Sequence, residues 1–138
     1  MTGAGMLRSI DDVLAEFDAL PAVAAEAMIG SWRGEIVPTG HRGERALGSL
    51  DWAGKDFHDA DDVDPIVVHD EDGARIASDV MGSAQLRMVE YRGVVTATML
   101  YDDHPVLDHF RAIDDDTVLG LMDRKGEDAP LAFRLHRL

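Results

Sequence analysis

The sequence predicts a mainly β protein, an antiparallel meander that closes into a small barrel, with one N-terminal helix and one further short helix. Three observations carry this. Residues 9–20 hold the strongest helical spacing of apolar residues in the chain. From Ser31 onward apolar and polar residues alternate over short stretches bounded by turn formers. The C-terminal strands then follow one another through short polar turns, whereas parallel neighbours need a crossover of about a dozen residues or more. About eight strands suffice to close a barrel around one small ligand, and closure removes exposed edges. A half-open sheet curled on the first helix is the competing geometry.

The elements follow in order. In SIDDVLAEFDAL, residues 9–20, Ile10, Val13, Leu14, Phe17 and Leu20 share one face; Ser9 with Asp12 makes a capping-box-like start, and Pro21 ends the helix. The alanine-rich AVAAEAMIG is a second helix or a loop, closed by Gly30. GSWRGEI starts the first strand, before the turn formers Pro38, Thr39 and Gly40, and Arg42 to Leu50 carries a short helix. AGKDFH, PIVVH and ARIAS are strands, and DEDG turns between the last two. QLRMVEYRGVVTATMLY reads as one long strand, and VLDHFRAI, TVLGLMD and LAFRLHRL complete the meander. The organisation is a single domain over 1–138, with a distinctive first segment at 28–60 and the β meander at 74–138.

Composition bounds the function. At 138 residues the chain buries about two-thirds of its unfolded surface and needs no staples. It has no cysteine, which excludes disulfides, thiolate metal sites and a cysteine nucleophile. MTGAGMLRSIDDV lacks an export signal, and no stretch approaches the roughly 20 apolar residues of a membrane span, so the expectation is a soluble, cytoplasmic protein without integral membrane contact. Acidic residues outnumber basic ones by 27 to 13, for a formal charge of −14. That balance repels phosphate backbones and speaks against nucleic acid as partner. The acidic runs at Asp59–Asp64, Asp70–Asp72 and Asp114–Asp116 read as solvated turns.

Familiar signatures fail by position. DADDVD has Val63 at the fifth place of a calcium loop, Asp64 where glycine is required and Asp70 where the bidentate glutamate belongs. GHRGERALG matches neither GxGxxG nor a phosphate loop. His104 and His109 lie five apart, which on one strand puts the rings on opposite faces, so no metal site is expected. Asp108 and His109 are adjacent, so they too point to opposite faces and do not readily form an Asp–His pair.

The remaining candidates concern a ligand. His109, with Leu107 and Arg111 in its row, either lines a cavity as a hydrogen-bond donor to an anionic headgroup or carbonyl, or is a structural histidine. Val89, Tyr91, Gly93, Val95, Ala97, Met99 and Tyr101 form the more apolar row of the long strand, placed inward. Lys55 and Phe57 share a face beneath Trp52; the lysine is either an exposed strand residue or a cavity ammonium.

GSWRGEIVPTGH, LDWAGKDF, VEYRGVVTATMLYD and HPVLDHFRAIDDDTVLGLMDRKG, in this order and spacing, resemble the GXWXG-motif proteins whose second half is a domain of unknown function. The likeness runs from about Leu14 to the C-terminus. It marks Gly30, Trp32, Gly34, Lys55, Phe57, Tyr91, Arg92, Gly93, Asp108, His109, Phe110 and Asp114 to Thr117. It implies a β-rich barrel that binds a lipid or another amphipathic small molecule, with no established enzyme activity. The motif is also similar to lipocalin- and calycin-type barrels and to the haem-binding nitrobindins, in which a tryptophan beside glycines closes one barrel end.

The resulting expectation is a non-catalytic carrier or sensor of a lipid, a phospholipid or another amphipathic small molecule. The expected ligand-binding residues are Trp32, Lys55, Phe57, Tyr91, Arg92, Tyr101, His109 and Arg111, with Arg92, Lys55 or His109 holding an anionic group at the cavity mouth. Seven methionines would adapt to a variable guest. No cofactor is expected. The alternatives are a haem protein with His109 or His136 as proximal ligand, a small-substrate enzyme using His109 with Asp108 or Tyr101, and a homodimer module joined through an exposed strand or the first helix.

Overall fold

The computed structural model describes residues 6–138; the run MTGAG, part of the stretch read above for an export signal, lies outside them. Helix α1 spans Ile10–Ala19 and begins as expected, with Ser9 Oγ accepting from the Asp12 amide at 3.0 Å. Its last turn closes on the Leu20 amide, and Pro21 prevents continuation. A single 3-10 turn, Ala25–Met28, leads into β1 at Gly30–Ile36, and helix α2 follows at Gly43–Ser49. The remaining strands are β2 Trp52–Asp59, β3 Asp62–His69, β4 Arg75–Ala77, β5 Ala84–Tyr91, β6 Val94–Tyr101, β7 Val106–Asp114, β8 Thr117–Arg124 and β9 Leu131–Arg137.

All described pairings are antiparallel. The sheet runs β2-β1-β9-β8-β7-β6-β5-β3-β4, and a further β2–β3 pairing joins its ends, so eight strands close a barrel with β4 as a flap on β3. The seam is uneven. β5 and β6 pair over their full length from Ala84↔Tyr101 to Tyr91↔Val94, whereas β3 and β5 share the register pair Val63↔Ala84 and the bond from the Leu86 amide to the Ala60 carbonyl.

One expectation fails here. QLRMVEYRGVVTATMLY is not one strand but the β5–β6 hairpin, turning through Arg92 (φ 52) and Gly93 (φ 83). Two successive left-handed residues make the primed turn that matches strand twist, and Asn-Gly or Asp-Gly is its usual signal. Arginine hides the signal. Its left-handed backbone costs about 1 kcal/mol or more, and the side chain is held by a two-pronged grip on Asp18 of α1, at 2.7 and 2.8 Å. The apolar row therefore splits. Ala97, Met99 and Tyr101 point into the barrel as expected, while Tyr91 packs outside, edge-on to Phe17 of α1.

Two cores result. One lies inside the barrel. The other lies outside it, where Val13 and Phe17 of α1 press on Leu119, Leu121 and Ala132. After α1 the chain threads Pro21–Val23 between β6 and β7 where those strands part: the Ala112 amide donates to the Pro21 carbonyl and the Ala97 amide to the Val23 carbonyl. Thr96 completes the wedge, its hydroxyl accepting from the Val23 amide and donating to the Phe110 carbonyl. This strap carries Val23 and Met28 into the barrel end, where they meet Trp32.

Trp32 is 1% exposed and its indole N–H donates to the Met28 carbonyl at 2.8 Å. The Arg137 guanidinium lies 4.2 Å from the indole ring and donates to the Ala27 and Ile29 carbonyls. The glycines of GSWRGE have a definite use. A Cβ on Gly34 would sit 2.4 Å from the Trp52 indole, so glycine there lets a second tryptophan lie flat on β1.

Candidate functional site

One end of the barrel is thus plugged by Trp32, Met28 and Val23. Inside, Phe57, Phe110 and Phe133 meet edge-on, with centroids 5.9 and 6.1 Å apart, and form a partition across the interior. Beyond the partition the barrel is hollow. The cavity is about 220 Å³ and almost wholly apolar in lining; Trp52, Ile66, Leu131 and Phe133 supply wall, and Leu47 of α2 and Met81 of the β4–β5 loop stand at the mouth. Arg124, at the end of β8, is the cation on its rim.

Three polar groups interrupt the apolar surface: Lys55 from β2, Tyr101 from β6 and Asp108 from β7. The Lys55 ammonium donates to the Pro65 carbonyl at 2.9 Å and lies 3.5 Å from the Tyr101 hydroxyl oxygen. It also stands 5.3 to 5.8 Å from the centroids of Phe133, Trp52 and Tyr101, a cage of aromatic faces. Asp108 Oδ2 is 3.0 Å away, an ion-pair distance. Oδ1 has no partner among the described residues, and Oδ2 has only the Lys55 ammonium, although the side chain is 1% exposed. Burial pushes the Asp108 carboxyl above the ordinary aspartate range, with Lys55 and Arg124 pulling it back. Burial also raises the Tyr101 phenol well above 10, so it stays protonated.

The structure brings two of the eight expected ligand residues, Lys55 and Tyr101, to the cavity. Lys55 is a buried ammonium on its floor rather than a mouth group. Trp32 and Phe57 belong to the plug and the partition. Tyr91, Arg92, His109 and Arg111 lie outside the barrel. His109 is buried beneath Tyr91, the two rings stacked at 3.7 Å, with Nδ1 3.0 Å from the Thr98 hydroxyl and Nε2 3.6 Å from Asp123 Oδ2. Burial lowers its pKa below 6.5. Arg111 lies over the Phe17 ring and donates to the Phe17, Asp18 and Leu20 carbonyls, fastening the end of α1. Arg92 is held by Asp18.

The reason is that β7 is buried on both faces. His109 and Arg111 do share a row, but that row faces α1; Val106, Asp108 and Phe110 form the inner one. Of the expected ligand set, sequence reasoning left out Asp108 and Arg124 among the polar lining residues and Trp52 and Phe133 among the aromatic ones. A single carboxylate in the otherwise apolar row Val106–Asp108–Phe110–Ala112 was the available signal.

Neither His109 nor His136 reaches the cavity, and His136 is bonded to Glu35 at 2.9 Å on the outer surface. The residues therefore do not fit a haem in this cavity on either histidine, and His109 lies on the opposite face of β7 from Asp108. On the β2–β3 hairpin, ligand atoms of His58, Asp62 and Asp64 gather within 4.8 Å, but the His58–Asp64 contact at 2.8 Å is an exposed ion pair that accounts for the approach. No helix among the described residues is long and apolar enough to cross a membrane, which says nothing of strands.

Residues 15–73 match the family model described as GXWXG protein, and residues 82–137 match the domain of unknown function DUF4334. The chain belongs to the GXWXG family. Within that family's first segment fall Trp32, Gly34, Trp52 and Lys55; Tyr101 and Asp108 come from the DUF4334 part, so the cavity floor is built jointly by the two matched regions. Among solved structures, the crystal structure of a protein from Thermomonospora curvata is similar over 96% of this GXWXG chain and 89% of that one, at 39% identity and a TM-score of 0.92. No curated protein matches significantly.

Proposed function

We propose that this GXWXG protein binds an amphipathic small molecule in its barrel cavity, as a carrier or sensor that performs no chemistry on it. The observation that supports the reading is an apolar hollow of about 220 Å³ that opens at one barrel end beside Arg124, above a buried polar floor. At about 30 Å³ per water molecule in the liquid, the volume equals about seven waters. It therefore takes a short chain or compact ring system of about eight carbon atoms, not a whole phospholipid. The apolar body leaves water for a wall of Trp52, Ile66, Leu131 and Phe133, gaining about 25 cal/mol per Å² buried. An anionic end at the rim meets Arg124. The expected mouth cations are otherwise absent, since Arg92 and His109 lie elsewhere and Lys55 faces Asp108.

Native mass spectrometry after gentle extraction tests this directly: a small adduct is expected, and medium-chain acids should raise the melting temperature. Ligand-free spectra together with no thermal shift from such acids would overturn the reading.

A further inference from the structure

The floor of the cavity carries more hydrogen-bonding capacity than the protein itself uses. Lys55 directs its protons to the Pro65 carbonyl, the Tyr101 oxygen and Asp108. Tyr101 accepts from Lys55, but its own O–H donates to no group among the described residues. Asp108, essentially without solvent, has Oδ2 engaged only by the Lys55 ammonium at 3.0 Å and Oδ1 with no partner among the described residues. A buried carboxyl left unsatisfied costs more than a typical hydrogen bond returns, and native proteins rarely leave one so. Both residues line the cavity, so the unmet donor and acceptor belong to the floor of the space that a guest would fill.

The charge at the floor limits what that guest presents. Lys55 and Asp108 already oppose each other at 3.0 Å. A second carboxylate pushed down to them would stand beside Asp108 and share with it the Lys55 ammonium and the field of Arg124, which already act on Asp108. Arg124 is at the rim. An uncharged group that both gives and takes a hydrogen bond suits the floor: its proton goes to an Asp108 oxygen and its oxygen accepts from Tyr101.

We infer that the guest carries a hydroxyl at its buried end, received by Asp108 and Tyr101, and that this floor selects hydroxylated molecules over their plain hydrocarbon counterparts. This rests on the reading of the cavity as a binding site. The guest class is then a short apolar skeleton with an anionic or polar group at the rim and an alcohol or phenol at the far end.

The test uses a matched pair, nonanoate and 8-hydroxyoctanoate, which differ by a terminal methyl replaced with a hydroxyl. Isothermal titration of the full chain is expected to show 8-hydroxyoctanoate binding at least about tenfold tighter, the worth of a hydrogen bond to a charged group. Tyr101→Phe should reduce that preference several-fold. The double variant Lys55→Met/Asp108→Leu replaces the ion pair by apolar residues of similar size, a change that buried pairs tolerate, and should reverse the preference in favour of nonanoate. If nonanoate binds wild type as well as the hydroxy acid does, or the preference survives in the double variant, the inference falls and the binding function stands. If neither acid binds, both fall.

Discussion

Lys55 and Asp108 are stable only as a pair. Each side chain is at most 3% exposed, and removing one leaves a buried charge without its partner. Lys55→Met should therefore cost about 3–5 kcal/mol, while Lys55→Met/Asp108→Leu should lie within about 1–2 kcal/mol of wild type or above it; urea denaturation of the three proteins checks the order. His109 offers a second test. Its folded pKa lies below the ordinary 6.5 because charging it beneath Tyr91 would bury a cation. Neutral imidazole is what the fold prefers, so its stability contribution is present above 6.5 and is lost as pH falls through the folded value. Asp123, 3.6 Å away, softens the effect, and exposed His58, raised by Asp64, works in the opposite sense. Stability should fall between about pH 7 and pH 5 less steeply in His109→Gln than in wild type, and equal slopes would contradict this account.

At the scale of elements, α1 is held by its apolar face and by Arg111, whose guanidinium takes three carbonyls at the helix end. Arg111→Leu should lower stability by about 2–3 kcal/mol and accelerate amide exchange in residues 10–20 first. Asp18→Ala, which breaks the half-exposed pair with Arg92, should cost under about 1 kcal/mol. These elements also show what the sequence could convey. Helical period, cap and proline stop placed α1 within a residue of its observed ends, because those signals are local. The Arg92–Gly93 turn was invisible, since it depends on Asp18 some seventy residues away. The inner row of β7 was misjudged for a related reason. A strand covered by a helix outside and a barrel inside is buried on both faces, and alternation alone cannot say which face is which. Lys55 stayed ambiguous because its companions, Asp108 and Tyr101, arrive from strands distant in the chain.

For the whole molecule, closure depends on the thinnest join. β3 and β5 are tied by one register pair and one neighbouring amide bond, against eight register pairs between β5 and β6. Native-state hydrogen exchange should show the amides of β3 and the start of β5 opening below the global unfolding free energy, with β7–β9 the last to exchange. Protection in β3 equal to that in β8 would mean that the barrel opens only as a unit.

The two tryptophans stand on opposite sides of the phenylalanine partition. Trp32 is sealed in the plug, whereas Trp52 lies flat on Gly34 and forms cavity wall. Intrinsic fluorescence therefore contains its own reference: a guest displacing solvent from Trp52 shifts that indole's emission to the blue and leaves the other unchanged. Trp52→Phe should abolish the response, so occupancy can be followed in the unlabelled protein before the natural guest is identified.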